Sequence, residues 1–289
     1  MSIISAHWIK VLKLRVVLLM VLTAAVGMAL TNQPVYPMQA ISGLLGIALI
    51  ACASGGCNML FETHIDRTMH RTQQRPLIQG HISPRGLAIT ILVLFGCGSL
   101  LLISQNNWLT WILTSLSMIG YSFVYTLFLK PRTPQNIVIG GFFGACPPAL
   151  GWCAITADLS AAPLLLVLIV FSWTPPHFWS LALAKKEEYA LAGLPMFPNV
   201  YGDDMTRLHI WLYTIQLIAL SQLPLVIGMA HLPYFIGVNI LNVRFGWLAW
   251  RLWKKPESTD PMSLFYESMT YLGLLFLCLI ADHLTYATM

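Results

Sequence analysis

The sequence predicts an all-α integral membrane protein with nine transmembrane helices, a cytoplasmic N-terminus and an external C-terminus. Hydrophobic residues make up 57% of the 289 and charged residues 9%, a balance found in polytopic membrane proteins rather than soluble ones. Apolar runs of spanning length recur along the chain, and Lys and Arg gather in every second connection. No polar stretch is long enough to enclose a soluble core, so 1–289 reads as a single polytopic domain.

The apolar runs lie near 14–31, 38–57, 85–104, 108–128, 136–156, 162–184, 208–229, 233–253 and 264–282. Each meets the need for about 17–25 residues to cross about 30 Å of hydrocarbon. Lys10, Lys13 and Arg15 open the first, and Arg67, Arg71, Arg75 and Arg85 lie in or border the second-to-third connection. Lys130 and Arg132 follow the fourth, Lys185, Lys186 and Arg207 border the sixth-to-seventh loop, and Arg251, Lys254 and Lys255 follow the eighth. The alternate connections and the C-terminal tail carry no Lys or Arg, which sets the orientation. The net charge of +5 follows from this bias and calls for no nucleic-acid partner.

The basic, then apolar N-terminus has the outline of a signal peptide, but its apolar run exceeds a typical h-region, so a retained helix is predicted. An Arg- and Ser-rich organelle-targeting extension is absent, which points to a bacterial inner membrane. The six cysteines show no CxxC spacing and read as packing residues.

Polar chemistry gathers in three cytoplasmic-side segments, 58–85, 129–136 and 173–207. The densest is 58–77. Asn58, Glu62 and Asp66 are spaced i, i+4, i+8, so on a helix they drift only about 80° while rising about 12 Å. Ionisable groups are costly in so apolar a chain unless they face water or a ligand. Carboxylates on one face, followed by cations, suit Mg²⁺ carrying a diphosphate, because the metal takes carboxylate oxygens on one side and phosphate oxygens on the other. Arg71, Arg75, Lys130 and Arg132 are the cations placed to neutralise the remaining phosphate charge. The competing reading is a solvated helix end whose acids and arginines pair with each other. His64 and His70 read as ordinary interfacial polarity.

Spans two and six both run on into charged residues, the sixth through Lys185, Lys186 and Glu188, which gives the halves a weakly repeated look. In the sixth, Trp173-Thr-Pro-Pro-His177 predicts a break in the helix. From its setting alone, His177 reads as a hydrogen-bonded histidine shaping the kink. Arg244, inside the eighth span, either pairs with Glu267 or snorkels to the surface. Gly140, Gly141 and Gly144 read as close-packing positions, Trp152, Trp173 and Trp179 as interfacial anchors, and Asp203 and Asp204 as a solvated loop.

The run at 58–77 resembles the N-x₃-D-x₃-D-x₂-M-x-R-T-x₂-R-P-L signature of the UbiA-type intramembrane prenyltransferases, with Glu62 standing where Asp is usual. Tyr125-Thr through Pro147-Pro148, and Trp173 through Leu183 followed by Glu188-Tyr189 and Pro195-Met196, are similar to that family's second and third signatures in its heme-modifying branch. Glu188 again replaces Asp. The resemblance covers nearly the whole chain.

It implies a UbiA-like bundle that transfers farnesyl from farnesyl diphosphate to a vinyl group of heme b, with water adding to give a hydroxyethylfarnesyl side chain. Heme b enters as substrate rather than cofactor. The resemblance also implies Mg²⁺ on Asn58, Glu62, Asp66 and Glu188, and diphosphate on Arg71, Arg75, Lys130, Arg132, Lys185 and Lys186. His177, Trp173, Phe178 and Tyr125 would face the porphyrin, with His177 as an axial ligand to heme iron or as a donor to a propionate or phosphate. The lipid bilayer, and heme-pathway or terminal-oxidase assembly proteins, are the implied partners. An aromatic quinone precursor as acceptor, or a transporter or assembly factor with a degenerate site, are the alternatives.

Overall fold

The computed structural model describes residues 3–67 and 72–287. Among them there is no β-strand, and seven helical segments are long and apolar enough to cross a membrane. These are Pro37–Phe61, Pro84–Gln105, Trp108–Arg132, Asn136–Thr156, Ala161–Ala184, Phe197–Val226 and Pro261–Tyr286. Two of the nine expected spans fall short on length or composition. The first is a 16-residue helix, Leu14–Ala29, and the eighth, Leu232–Lys254, carries Arg244, Arg251 and Lys254.

The helices are α1 (Ile3–Val11), α2 (Leu14–Ala29), α3 (Pro37–Phe61), α4 (Thr63–Asp66), α5 (Pro84–Gln105) and α6 (Trp108–Ile119). A π-helical stretch, π1 (Gly120–Leu129), leads to α7 (Lys130–Arg132), α8 (Asn136–Ala145), α9 (Pro147–Thr156) and α10 (Ala161–Ala184). Then come α11 (Lys186–Leu191), α12 (Phe197–Leu220), α13 (Leu223–Val226), α14 (Leu232–Lys254) and α15 (Pro261–Ala287). Proline stands in the first turn of α3, α5, α9, α12 and α14, where its missing N–H has no partner to lose. Ser83 and Asn107 cap α5 and α6 through Gly86 N and Thr110 N, at 3.0 and 2.9 Å.

The chain forms two compact units. The first runs to Arg132 and adds Cys146–Asp158 and Leu191–Leu194. Lipid offers no hydrophobic drive for helices to associate, so close backbone approach decides packing here. A Cβ on Gly27 would stand 1.9 Å from the Pro148 carbonyl oxygen, and one on Gly151 would stand 1.8 Å from that of Ala24. Only glycine lets α2 and α9 touch in this way. Beside them α3 packs along α5, and a buried cluster joins Val11, Ala53, Cys57 and Met59 to Leu77, Ile82, Leu87 and Ile91. Leu77 and Ile82 thereby anchor the connection that carries Arg75.

The second unit comprises Thr133–Ala145, Leu159–Ala190 and the chain from Pro195. Its centre is α10, packed on α8, α12 and α15. The helix runs unbroken through Pro175 and Pro176, contrary to the break predicted there. The absent N–H groups are outweighed by packing: Trp173 through His177 are all buried, with Thr174 against Gly141. Trp173 and Trp179 are likewise buried, the latter fully, rather than anchoring an interface.

On α15, Asp282 accepts from His231 N and Tyr234 N at 2.9 and 3.1 Å and so caps α14. Tyr271 and Ser221 satisfy Asn242 between α12, α14 and α15. Arg244 pairs with Glu267 at 2.7 Å. Asp203 and Asp204 lie within α12, just after Gly202, whose φ of 82° kinks that helix, and not in a loop.

Candidate active site

The acid motif keeps the geometry its spacing demands. Glu62 ends α3, and its N–H donates to Asn58 O at 3.0 Å, while Asp66 N donates to Glu62 O at 2.8 Å. The i→i−4 ladder thus continues through the one-turn helix α4, keeping the three side chains in line. All three are buried, Glu62 to 3% and Asp66 to 2% exposure, so this helix end is not solvated, although its acids do pair with nearby cations.

Three rungs tie α3 to the fourth span. Ser54 Oγ meets Ser122 Oγ at 3.1 Å, Asn58 Nδ2 donates to Thr126 Oγ1 at 3.1 Å, and Lys130 Nζ donates to Glu62 Oε1. Every rung joins residues 68 apart, so the two helices run parallel in fixed register. The wider π1 turn is part of this: Thr126 Oγ1 donates back to Tyr121 O, and Lys130 N to Tyr125 O.

Two further cations close the cluster. Arg75 Nη1 donates to Asp66 Oδ2 and lies 3.5 Å from Glu62 Oε2. Thr72 Oγ1 donates to Asp66 O at 2.9 Å, and Arg75 N to Thr72 O at 2.9 Å, which fixes the approach of the arginine. Lys13, the residue sequence reasoning missed, donates from Nζ to Asn58 Oδ1. Its backbone is left-handed, φ 50°, at the cap of α2, and this turn aims the side chain at α3.

The electrostatics follow from burial and proximity. Burial pushes the Lys13 ammonium down to about 8; Glu62 opposes this, while Arg75 and Lys130 add to it. Burial alone would raise the Glu62 carboxyl, but Lys130, Lys13 and Arg75 together hold it below its ordinary value. At Asp66 burial prevails over Arg75, and the carboxyl sits above its ordinary value.

Not every expected residue joins this cluster. Arg71 lies outside the described residues, as does His70. Arg132 Nη1 donates to Leu127 O at 2.9 Å and its guanidinium covers the Phe128 ring, so it caps π1. Tyr125 stacks on Tyr121 within the same unit. His64 is exposed.

In the second unit, Lys185 pairs with Glu188 at 3.0 Å and Lys186 with Asp203 at 2.7 Å, all four at least one-third exposed. Arg207 joins Asp203 and Asp204. His177 and Trp173 are buried side by side, whereas Phe178, on the same helix, is 42% exposed.

Among the described residues no three His, Cys, Asp or Glu side chains come together. A cation at the first cluster would therefore draw on Glu62, Asp66 and the Asn58 amide oxygen, a hard, all-oxygen set that fits Mg²⁺ if phosphate oxygens and water complete it. Lys13 must release Asn58 Oδ1 for that amide to take part.

A family model described as "UbiA prenyltransferase family" matches residues 20–279. The chain belongs to the UbiA prenyltransferase family. Among curated relatives of this UbiA-family chain, the "Protoheme IX farnesyltransferase" of Hahella chejuensis is 48% identical over 272 residues, 94% of this chain and 91% of that protein. The protein of the same name from Marinobacter nauticus is 46% identical over 280 residues, 96% and 93% of the two chains. Of solved structures, a digeranylgeranylglyceryl phosphate synthase superposes with a TM-score of 0.83 at 15% identity, over 98% of this chain and 100% of that one. The fold of this UbiA-family protein is therefore that of its solved relatives.

Proposed function

We propose that this protein transfers the farnesyl group of farnesyl diphosphate to a vinyl group of heme b, releasing diphosphate and giving heme O. The observation that carries the chemistry is the buried Asn58–Glu62–Asp66 face, met by Lys13, Arg75 and Lys130. The acceptor comes from relatives that are 46–48% identical over nearly the full length and bear the name protoheme IX farnesyltransferase.

The reaction needs the bond between C1 of the allylic chain and its diphosphate oxygen to break, the electron pair leaving with the diphosphate. Lys13, Arg75 and Lys130 stabilise the charge that builds on the departing oxygens. The vinyl π electrons then bond to C1. The resulting cation, next to the porphyrin ring, is quenched by water, which loses a proton to leave the hydroxyl. Asn58, Glu62 and Asp66 would hold Mg²⁺, which would supply Lewis acidity at the leaving group when bound.

A solved UbiA homolog from Archaeoglobus fulgidus is described as bound to DMAPP and Mg²⁺, which supports metal-assisted prenyl transfer as the family's chemistry. Arg71, Arg132, Lys185 and Lys186 remain proposed diphosphate ligands and Glu188 a proposed metal ligand. Arg132, Lys185, Lys186 and Glu188 would each have to leave the partner that now holds it. His177, Trp173, Phe178 and Tyr125 remain proposed for the porphyrin.

The seven long apolar helices, with α2 and α14, support nine spans. Basic residues in alternate connections support a cytoplasmic N-terminus and site and an external C-terminus. The membrane proposed is a bacterial inner membrane, where heme-pathway or terminal-oxidase assembly proteins would be its neighbours. Purified protein given farnesyl diphosphate, Mg²⁺ and either heme b or a hydroxybenzoate tests the reading. Farnesylated heme alone is the expected product. Farnesylated benzoate would place the acceptor in the quinone class, and no product with either would remove the enzymatic reading.

A further inference from the structure

We infer that His177 binds the iron of the heme substrate through Nε2, and that Ser268 is the positioning residue that fixes the tautomer this requires. The inference deepens the heme reading above and rests on it.

The ring is held on every side but one. His177 is 8% exposed on α10. Its faces lie between Trp173, 4.3 Å away and 18° from parallel, and Phe265 of α15, 4.4 Å away and 22° from parallel. Phe178 meets it edge-on at 5.0 Å. Nδ1 lies 2.7 Å from Ser268 Oγ, and Trp173 Nε1 donates to the Ser268 carbonyl at 2.7 Å, so both ends of Ser268 are tied to α10.

The protons can be assigned from this geometry. Ser268 Oγ lies 2.6 Å from the Phe265 carbonyl oxygen, which can only accept, so the single hydroxyl proton goes there. Ser268 Oγ must then accept from His177, and Nδ1 is the protonated nitrogen. A neutral imidazole carries one N–H, so Nε2 holds a lone pair. The Phe265 carbonyl is a further hydrogen-bond partner of the ring, and the one side-chain partner among the described residues, Ser268, meets it at Nδ1.

A buried histidine with a purely structural role usually pairs both nitrogens. A metal-ligating one donates from the far nitrogen to an oxygen acceptor and presents the near one bare, and that is the arrangement here. The lone pair also decides between the readings open in the sequence. It cannot donate to a phosphate or to an ionised propionate, both of which only accept. Of the groups on the two proposed substrates, heme iron is the one that takes a neutral imidazole nitrogen.

The test is a titration of the full-length protein in nanodiscs with ferric heme b, without farnesyl diphosphate, followed by absorption and electron paramagnetic resonance. Wild type is expected to give a histidine-ligated spectrum with imidazole nitrogen hyperfine coupling. His177→Ala should lose it and regain it with added imidazole. Ser268→Ala should keep the ligand and weaken heme binding by about tenfold or more. Heme bound to His177→Ala with the wild-type spectrum would overturn the assignment, as would a wild-type complex lacking imidazole coupling, a readout that needs no variant to fold. Failure of wild type to bind heme at all would instead overturn the heme reading beneath it.

Discussion

Lys130 Nζ, at the end of the π-helical stretch, donates to Glu62 Oε1 at the end of α3, the last rung of a ladder whose earlier rungs are Ser54–Ser122 and Asn58–Thr126. The ladder sets cation against acid at one level and in one register. With Lys13 on Asn58 and Arg75 on Asp66, each proposed metal ligand is paired with a proposed phosphate ligand. The arrangement suits an exchange of partners in which the acids would turn to a metal and the cations to a diphosphate. Burial without such pairing would leave uncompensated charges, at a cost of several kcal/mol each.

Asp66→Asn keeps the shape of the side chain and removes its charge. It should lower farnesyl transfer by at least about a hundredfold, the scale of losing one preorganised electrostatic contact at a reacting centre. The protein should still fold, because Arg75 retains some exposure, 19% of its side chain. Turnover against Mg²⁺ concentration checks this, and unchanged turnover would remove Asp66 from the metal.

Arg75→Ala removes a forked donor that reaches both acids. One charge-assisted hydrogen bond is worth about 1.5–3 kcal/mol, so farnesyl diphosphate affinity should fall by roughly 10–100-fold. Arg75→Lys should recover only part of it, since a point charge cannot grip two oxygens at once. Isothermal titration of the three proteins measures the series.

Lys13 supplies a pH signature in stability. Its folded value of about 8 lies below the ordinary 10.5, so above pH 8 the unfolded chain holds more protons at this site than the folded one. The cost of burying the charge is therefore present in full below pH 8 and is relieved as pH rises toward 10.5. Wild type should gain thermal stability relative to Lys13→Met between pH 8 and pH 10. Parallel melting curves would contradict the burial of this amine.

Gly151→Leu should prevent the first unit from forming. The new Cβ would stand 1.8 Å from the Ala24 carbonyl oxygen, and backbone cannot yield as a side chain can. Loss of the monodisperse peak in detergent size-exclusion chromatography is the expected result. The same change at Gly144, where an added Cβ meets nothing within 4 Å, should leave the peak intact.

Much of the site was legible because it is local. Asn58, Glu62 and Asp66 share a face by helical spacing alone, and Arg75 follows within ten residues of Asp66. Lys130 could be named as a cation but not matched to Glu62, since its register depends on a π-helical turn that leaves no mark in composition. The positive-inside bias accounts for Lys13 by itself, whereas its contact with Asn58 spans 45 residues and depends on one left-handed backbone angle. Arg132 looked equivalent to Lys130, yet its guanidinium is spent on the carbonyls that end π1. The Pro175–Pro176 pair misled in the other direction, because local chemistry forecast a break that tertiary packing overrides. Ser268, on another helix 91 residues from His177, was beyond any motif.

The most direct measurement of the central claim is mass spectrometry of heme recovered from purified protein incubated with farnesyl diphosphate and heme b, with Mg²⁺ or with chelator. The account predicts heme heavier by one farnesol in the presence of metal, unmodified heme in chelator, and unmodified heme from a Glu62→Gln, Asp66→Asn double variant under either condition. Equal conversion with and without chelator, or full conversion by the double variant, would contradict it.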